Sequence, residues 1–540
     1  MTVKAKSVQV VVIGGGVTGT GILRDLAMRG VTALLVEQGG LAGGTSSRFH
    51  GLLHSGARYA VGDGEAAREC QRESRILQKI APLWVTPTGG FFLQLPGDDP
   101  GYADRWVAAC REAGIAAEEI DPRELLRANP ALNPRLVRAF RVPDGTVDGF
   151  QVIWGNVSSA RRYGGEVLTY TRAVSVLHGN GRVRGVELAG TLTGERRFVE
   201  CQFVINAAGP WAEEVAALAG LRVRVAKDKG TLLAFNHRLT RQVLNRLRPP
   251  GDGDIFVPHG TVTILGTTSA AVDRPDRTRP DYREVRELLA AGRELIPDLE
   301  KYRPIRAFAG VRPLGGPPGG SGEGVSGRSL SRHFTILDHG ETDGLAGFVS
   351  VVGGKFTTFR LTAEKAADLV ARKLGVGTPC RTAREPLAVP VPRRLLTRGR
   401  KIFGTPGAQK AAGRLAGEFA GVVRQGEEDP QKSLVLCECE LVSRAEIERA
   451  AADGYCRTLG DVRRKTRMGM GTCQGTFCAY RALGALGGHP AFAGRSLGHL
   501  REFFQERWKG IRPVLWGEQL REAQLTLGIY CTLFCLERVK

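Results

Sequence analysis

The chain has 540 residues and a mass of 58.2 kDa, with 42% hydrophobic and 24% charged residues. That is the balance of a globular protein, so disorder is excluded as the main state. At ~150 residues per domain the length suggests about three to four domains. The 72 glycines have no three-residue period, which excludes collagen. The net charge of +21 admits three partners: nucleic acid, an anionic membrane surface, or anionic cofactors and substrates. No nucleic-acid-binding module is recognisable and the basic residues are spread along the chain, so nucleic acid is not an expected partner.

The N-terminus reads as strand, tight turn, helix, strand. Val8 to Ile13 is a buried-strand run, Gly14 to Gly19 the turn, Thr20 to Arg29 helical, and Val31 to Val36 the next strand, ending at Glu37. No signal peptide is expected, because the first apolar run enters Gly14-Gly15-Gly16 rather than a cleavage site. No apolar run is long enough to span a bilayer.

Gly14-x-Gly16-x-x-Gly19 after a strand, with an acid 23 residues beyond Gly14, fits a dinucleotide fingerprint. Gly14 permits the turn, Gly16 lets the backbone approach a pyrophosphate, and Gly19 lets helix and strand pack closely. Glu37 can then accept hydrogen bonds from a ribose. Two later stretches repeat the strand-then-glycine grammar: Phe203-Val204-Ile205 before Asn206 to Trp211, and Gly347 to Val352 before Gly353-Gly354-Lys355. Three distant pieces of this kind suit a discontinuous dinucleotide fold with a substrate domain inserted between them.

Leu314 to Arg328 reads as a Gly/Pro/Ser loop, and Pro386 to Gln409 as a basic, Pro-rich linker. A Cys-containing module follows, with Cys437-x-Cys439, 33 intervening residues, then Cys473-x4-Cys478. Four thiolates suit a [2Fe–2S] cluster or tetrahedral zinc, although zinc sites usually open with a wider spacing such as C-x2-C. The glycines around Cys473 can aim backbone N–H groups at cluster sulfides. The odd total of eleven cysteines argues against complete disulfide pairing and for a reducing cytoplasm. The tail carries Phe503, Phe504, Trp508, Trp516, Tyr530 and Phe534, which suit an interface or packing onto the chain itself.

The segment Gly43-Gly44-Thr45-Ser46-Ser47-Arg48, continuing to His50-Gly51-Leu52-Leu53-His54-Ser55-Gly56-Ala57-Arg58-Tyr59, carries a family resemblance. It resembles the FAD-dependent glycerol-3-phosphate dehydrogenases, within the wider group that includes D-amino acid oxidase. Asn206 to Trp211, Ala309 to Leu314, Ser331-Arg332 and Gly353 to Arg360 extend the likeness, which covers Gln9 to Leu374. Phe256-Val257-Pro258 and Gly266-Thr267-Thr268 resemble strands of the family's substrate domain. Leu436 to Leu486 resembles the [2Fe–2S] module of bacterioferritin-associated ferredoxin.

The resemblance implies an α/β fold: an FAD-binding Rossmann-like domain of the glutathione-reductase/D-amino-acid-oxidase type with an inserted β-rich substrate domain, plus a small C-terminal iron–sulfur domain. The expected boundaries are 1–380 for the oxidoreductase domain, 381–432 for a linker, 433–490 for the cluster domain, and 491–540 for a tail that is a possible interface with other chains. FAD, bound non-covalently, is expected at Gly14, Gly16, Gly19, Glu37, Thr45, Ser46, Ala208, Gly209, Gly353, Gly354 and Thr357. The cluster is expected on Cys437, Cys439, Cys473 and Cys478. Arg58, Arg312 and Arg332 are the candidates for holding a dianionic phosphate, and Lys355 is expected near flavin or substrate. His54 is the first candidate for general base and His237 the second.

The implied reaction is oxidation of glycerol 3-phosphate to dihydroxyacetone phosphate, with hydride passing to flavin N5. Flavin and cluster together resemble the anaerobic, multi-subunit branch of these dehydrogenases. That implies two companion subunits, one a second flavoprotein and the other a membrane-associated iron–sulfur protein. It also implies quinone as final acceptor, and a cytoplasmic protein held peripherally at the inner membrane. Two other functions remain open: oxidation of a 2-hydroxy acid or amino acid on the same scaffold, and a non-catalytic redox sensor.

Overall fold

A computed structural model describes residues 6–315 and 333–536. Strand β1 (Lys6–Ile13), helix α1 (Val17–Met28) and strand β2 (Ala33–Val36) form the expected N-terminal unit. Val10, Val11 and Val12 are fully buried, as are Leu34 and Leu35, so both faces of these strands are covered. That is how parallel strands under helices pack. β1 pairs in parallel with β2 on one side and with Arg196–Asn206 on the other, whose end pairs in parallel with Phe348–Gly353. Three strands far apart in sequence therefore end at one edge, and each runs there into a glycine turn.

Helix α1 lies between the helices Gly149–Arg162 and Phe359–Lys373. Its Gly21 faces Phe359 and Ala363, with no room for more than a small neighbour. Arg24, on the same helix, is buried, and burial pushes its guanidinium down to about 10. It donates to Ser159 Oγ (3.0 Å) and to the Glu385 carbonyl (2.6 Å), which pins residues 382–385 over the helix layer.

The inserted domain is a nine-stranded sheet. Its long pair, Val225–Phe235 and Pro304–Gly315, runs antiparallel from Val225 opposite Gly315 to Phe235 opposite Pro304. Ile255–His259 and Val262–Gly266 belong to it, as their Val/Ile/Phe content suggests. Leu233, Phe235, Phe256 and Leu265 form its core against the helix Tyr282–Leu295. The loop expected at Leu314 to Arg328 falls almost wholly outside the described residues, as does Arg332; Leu314 and Gly315 end the long strand.

The stretch 381–432, expected as a linker, is largely helical. Arg393–Leu415 runs through a break at Gly404 (φ 68°) and is followed by Phe419–Glu428. Phe419 packs against Gly399, and Arg414 forms a buried ion pair with Glu446 (2.7 Å) and donates to the carbonyl of Glu440 (2.9 Å). The proline content misleads because Pro392 stands just before the first helical residue, where no N–H bond is lost.

Beyond it stand the short helices Arg444–Ala452, Leu459–Thr466 and Cys478–Leu486. The first two open with capping boxes, Ser443 with Glu446 and Thr458 with Asp461. The tail helix Ser496–Ile511 lies against the long strand Pro304–Gly315, and Gly510 abuts the Ala307 carbonyl. Phe503, Phe504, Trp508 and Tyr530 are buried within the chain, and Tyr530 stacks on Phe504 at 4.6 Å. Trp516 is partly exposed, while Leu525, Ile529 and Leu533 line the outer side of the last helix. Among the described residues, no helix is long and apolar enough to cross a membrane.

A Cβ on Gly19 would fall inside the Gly14 carbonyl oxygen. Gly19→Ala must push α1 off the strand edge, at a cost of about 1–3 kcal/mol. The expected result is a lower denaturation midpoint and less than one flavin per chain after desalting.

Candidate flavin and iron–sulfur sites

The glycine turns at the strand ends enclose a cavity of about 940 Å³. Gly14 has φ +121°, and an added Cβ would meet the Ala207 carbonyl at 2.5 Å, so backbone alone fits there. The first turn of α1 holds no acidic residue, and Gly16, Val17 and Thr18 at its start line the cavity. Ser46 Oγ accepts from the Val17 N–H (3.0 Å) and Thr45 Oγ1 donates to the Val311 carbonyl (2.6 Å). A helix N-terminus beside small hydroxyls suits a diphosphate.

Glu37 sits just past β2 and accepts from the N–H groups of Gly15 (2.7 Å) and Gly39 (2.8 Å). Burial pushes its carboxyl up, and those two bonds oppose the shift. Glu37, Ala208, Gly209, Gly353, Gly354 and Thr357 all line the cavity with Gly14, Gly16, Thr45 and Ser46. Gly19 does not; it lies one layer behind, in helix–strand contact.

The cavity is also lined by His50, His54, Tyr59, Arg312 and Lys355. The His54 ring lies 5.2 Å from Tyr59 and 5.7 Å from His50, and Lys355 Nζ stands 5.0 Å over the Tyr59 ring. The His54 N–H donates to Thr357 Oγ1 (3.2 Å), which fixes this loop to the Gly353–Thr357 turn. Arg312 pairs with Asp228 and donates to Thr267 Oγ1 (2.8 Å) and the Thr268 carbonyl (2.6 Å). Its guanidinium is thus oriented, and part of its charge is already answered.

Arg58 is placed differently from expectation. It is not on the cavity wall; it bonds Asp254 (3.2 Å) and the Gly251 carbonyl (3.4 Å). It ties the His54 loop to the inserted domain. His237 also stands off the cavity wall, with its ring 5.2 Å from Tyr302. Tyr59 and His50 belong to the same motif as His54, and their neighbourhood in sequence is the signal for them. Lys509 and Thr278 also line the cavity, joined at 2.6 Å. They come from the tail helix and a loop of the inserted domain, and nothing local in the sequence marks them.

The four cysteines converge. Cys439 Sγ and Cys473 Sγ lie 3.9 Å apart, and Cys478 shares hydrogen bonds with both Cys437 and Cys473. Those bonds, helped by N–H groups of Gly475 and Phe477 at Cys473 and of Gly469 and Glu440 at Cys437, bring the Cys473 thiol down to about 5 and Cys437 to about 7. Cys478, the donor in both bonds, is held far above the usual thiol range. Thiolates ringed by backbone N–H groups are what an iron–sulfur cluster needs. A Cβ on Gly471 would collide with Cys439, so the glycine is required for the loops to close. The other seven cysteines form no second group of this kind among the described residues.

This module is clamped onto the flavin domain. Arg464 donates to the Leu41 carbonyl (3.1 Å), beside the Glu37 turn. The Tyr170 hydroxyl donates to Asp461 (2.6 Å), Gln151 Nε2 to the Lys465 carbonyl (2.8 Å), and Arg467 pairs with Asp148 (3.0 Å).

Comparison with known proteins agrees with these two halves. The FAD dependent oxidoreductase family matches residues 9–369, and the BFD-like [2Fe-2S] binding domain matches 435–486. One of the anaerobic glycerol-3-phosphate dehydrogenase subunits of Escherichia coli (strain K12) is 43% identical, over 99% of this chain and 98% of that protein. The chain belongs to this family. Its counterpart in Haloferax volcanii, from an enzyme of the same name, is 42% identical, over 96% of this chain and 89% of that protein. A glycerol-3-phosphate dehydrogenase from Bacillus halodurans, solved with FAD, shares the fold with a TM-score of 0.71 at 21% identity, covering 95% and 97% of the two chains. FAD and a [2Fe–2S] cluster are therefore the cofactors of this family member, and the two sites described fit them.

Replacing Cys473 with Ser removes the most acidic of the four thiols. Iron should fall from about two atoms per chain to a small fraction, with the cluster absorbance lost and the flavin retained.

Proposed function

We propose that the protein oxidises sn-glycerol 3-phosphate to dihydroxyacetone phosphate and passes the electrons through its cluster to partner proteins and quinone. The observation that carries this reading is a flavin cavity whose lining holds two cations, Arg312 and Lys355, together with His54 and Tyr59. The names of its relatives supply the substrate, and their being single members of multi-subunit enzymes supplies the idea of companions.

FAD held at Gly14, Gly16, Thr45, Ser46 and Glu37 would supply a hydride acceptor for the substrate's C2, and a cluster held at Cys437, Cys439, Cys473 and Cys478 would supply one-electron chemistry. The chain's own groups do the rest. Arg312 and Lys355 hold the phosphate through charge-assisted bonds, which are stronger than neutral ones. His54 takes the C2 hydroxyl proton, with its loop fixed by Thr357 and by Arg58. Arg332 is retained as a further phosphate ligand on the strength of the Ser331-Arg332 motif alone.

Phe477, beside the ligand Cys478, is 54% exposed, and Leu434 and Val435, just before the ligand Cys437, are exposed too. This is a fitting exit toward a second flavoprotein and a membrane-associated iron–sulfur protein, which would hold the chain at the inner membrane.

One feature favours a second reading. Arg312 already faces Asp228, which leaves less net charge than a dianion calls for and suits a monoanionic carboxylate, as in a 2-hydroxy acid.

The deciding experiment is the visible spectrum of anaerobic protein before and after glycerol 3-phosphate. Loss of flavin absorbance together with cluster reduction is expected; an unmoved spectrum that responds to a 2-hydroxy acid selects the second reading. Arg312→Ala should raise KM about 10- to 100-fold, the loss of a charge-assisted contact of roughly 1.5–3 kcal/mol. His54→Asn should lower kcat by about 10²–10⁴ with a smaller effect on KM.

A further inference from the structure

A second cavity, of about 350 Å³, lies where the flavin domain, the inserted sheet and the cluster module meet. It adjoins the flavin cavity, with which it shares Gly43, Arg48, Phe49, Thr278 and Lys509; its further walls come from the segment 47–51, the strand around Arg306, and the helix that carries Arg463. Arg48, Arg306, Arg463 and Lys509 all face it, one or two from each of the three parts. The nearest opposing charge is Glu506, which bonds Arg306 (3.3 Å) and approaches Lys509 (3.7 Å). The other cations on the wall are accounted for: Arg464 pairs with Asp461, and Arg467 with Asp148 and Glu440.

Asp148 and Glu502 also line the wall, so six cations face three carboxylates, which leaves an excess of positive charge inside the protein. Among the described residues, Arg48 and Arg463 feel Glu506 through longer-range attraction rather than a bonded pair. Arg463 Nε is buried without a hydrogen-bond partner, and its Nη2 reaches only Gln474 Oε1 (3.4 Å). Burial and the facing Arg306 bring the Arg463 guanidinium down to about 9, and burial lowers Arg48, Arg306 and Lys509 as well. An unpaired buried cation is costly, and the cost falls when an anion takes the free donors. The remaining wall is apolar, with Phe49, Phe150, Phe308 and Phe503. A few convergent cations in an apolar chamber describe a site for a small anionic molecule with an organic body.

We infer that this interdomain cavity is a second anion site, distinct from the substrate end of the flavin cavity, that takes a phosphate group from a small phosphorylated metabolite or from free phosphate. Arg48, Arg306, Arg463 and Lys509 hold the phosphate, and the phenylalanines receive any organic part. Because the donors come from three parts of the chain, the anion ties the cluster module to the flavin domain.

The test is isothermal titration of the anaerobic holoenzyme with inorganic phosphate at constant ionic strength. Two phosphates per chain are expected, one at each site. Arg312→Ala removes the substrate-end phosphate and leaves one. Arg463→Gln, with its flavin and cluster content checked by absorbance, leaves the other. Arg463→Lys, which keeps the charge but not the fork of donors, serves as the variant least able to disturb folding and should weaken the second site about tenfold. Titration of Arg312→Ala with glycerol 3-phosphate separates the two sources: tighter binding than phosphate points to a metabolite, equal binding to free phosphate. No saturable phosphate binding in Arg312→Ala, or a remaining site that Arg463→Gln leaves unchanged, overturns the inference; a single parent site that is lost in Arg463→Gln upholds it and tells against phosphate at Arg312.

Discussion

The contact on which the rest of the molecule depends is the approach of Gly14, Gly19 and Ala207 where two parallel strands end. A diphosphate can sit on a helix N-terminus only if backbone N–H groups reach it with no side chain between. That requires a turn at positive φ, a helix pressed onto a strand, and a third chain segment crossing the strand ends. The crossing segment is Ala207-Ala208-Gly209, which arrives from a strand much later in the chain. A single Cβ at Gly14 or Gly19 would force these pieces apart. The inserted sheet, the His54 loop and the Gly353–Thr357 turn all take their positions from that edge.

The cluster module is held by a different physics. Its helix Leu459–Thr466 brings buried charges to the flavin domain: Asp461 faces Tyr170 and Arg464, Lys465 pairs with Asp453 and lies 4.8 Å over the Trp154 ring, and Arg467 reaches Asp148. Buried ion pairs contribute little net stability, because desolvation offsets most of the attraction, but they penalise every other arrangement. Such contacts set orientation. For one-electron transfer between two cofactors, a fixed orientation matters more than strong adhesion.

The excess of basic residues acquires a meaning from this arrangement. A net charge of +21 suggests an outward-facing field, yet Arg24, Arg360 and Arg414 are all buried and spend their donors on carbonyls and carboxylates inside the chain. Arginine suits this use because its five donors form a rigid fork and its charge persists when desolvated. Part of the surplus is therefore structural, and part faces the two internal cavities where anions bind.

Much of this was legible in the sequence because it is local. Gly14-x-Gly16-x-x-Gly19, the acid at 37 and the paired cysteines encode turns, a helix start and a ligand set within short windows, and each works through backbone geometry that neighbours dictate. The strand character of Phe256-Val257-Pro258 and the glycine turns at 209 and 353 were legible for the same reason. What the local pattern did not carry is how side chains from distant segments meet. Arg58 shares a motif with His54, but Asp254 of another domain draws it off the cavity wall. The Pro-rich stretch at 381–432 folds into helices because Phe419 and Arg414 find partners at Gly399 and Glu446. Lys509 reaches the flavin cavity only because Gly510 lets its helix lie against the Ala307 backbone. The sequence by itself determined the glycine turns at the strand ends and the spacing of the four cysteines, since those depend on chain geometry over a few residues. Tertiary structure alone decided which cations face which cavity, since that depends on long-range packing and on which carboxylate reaches each arginine first.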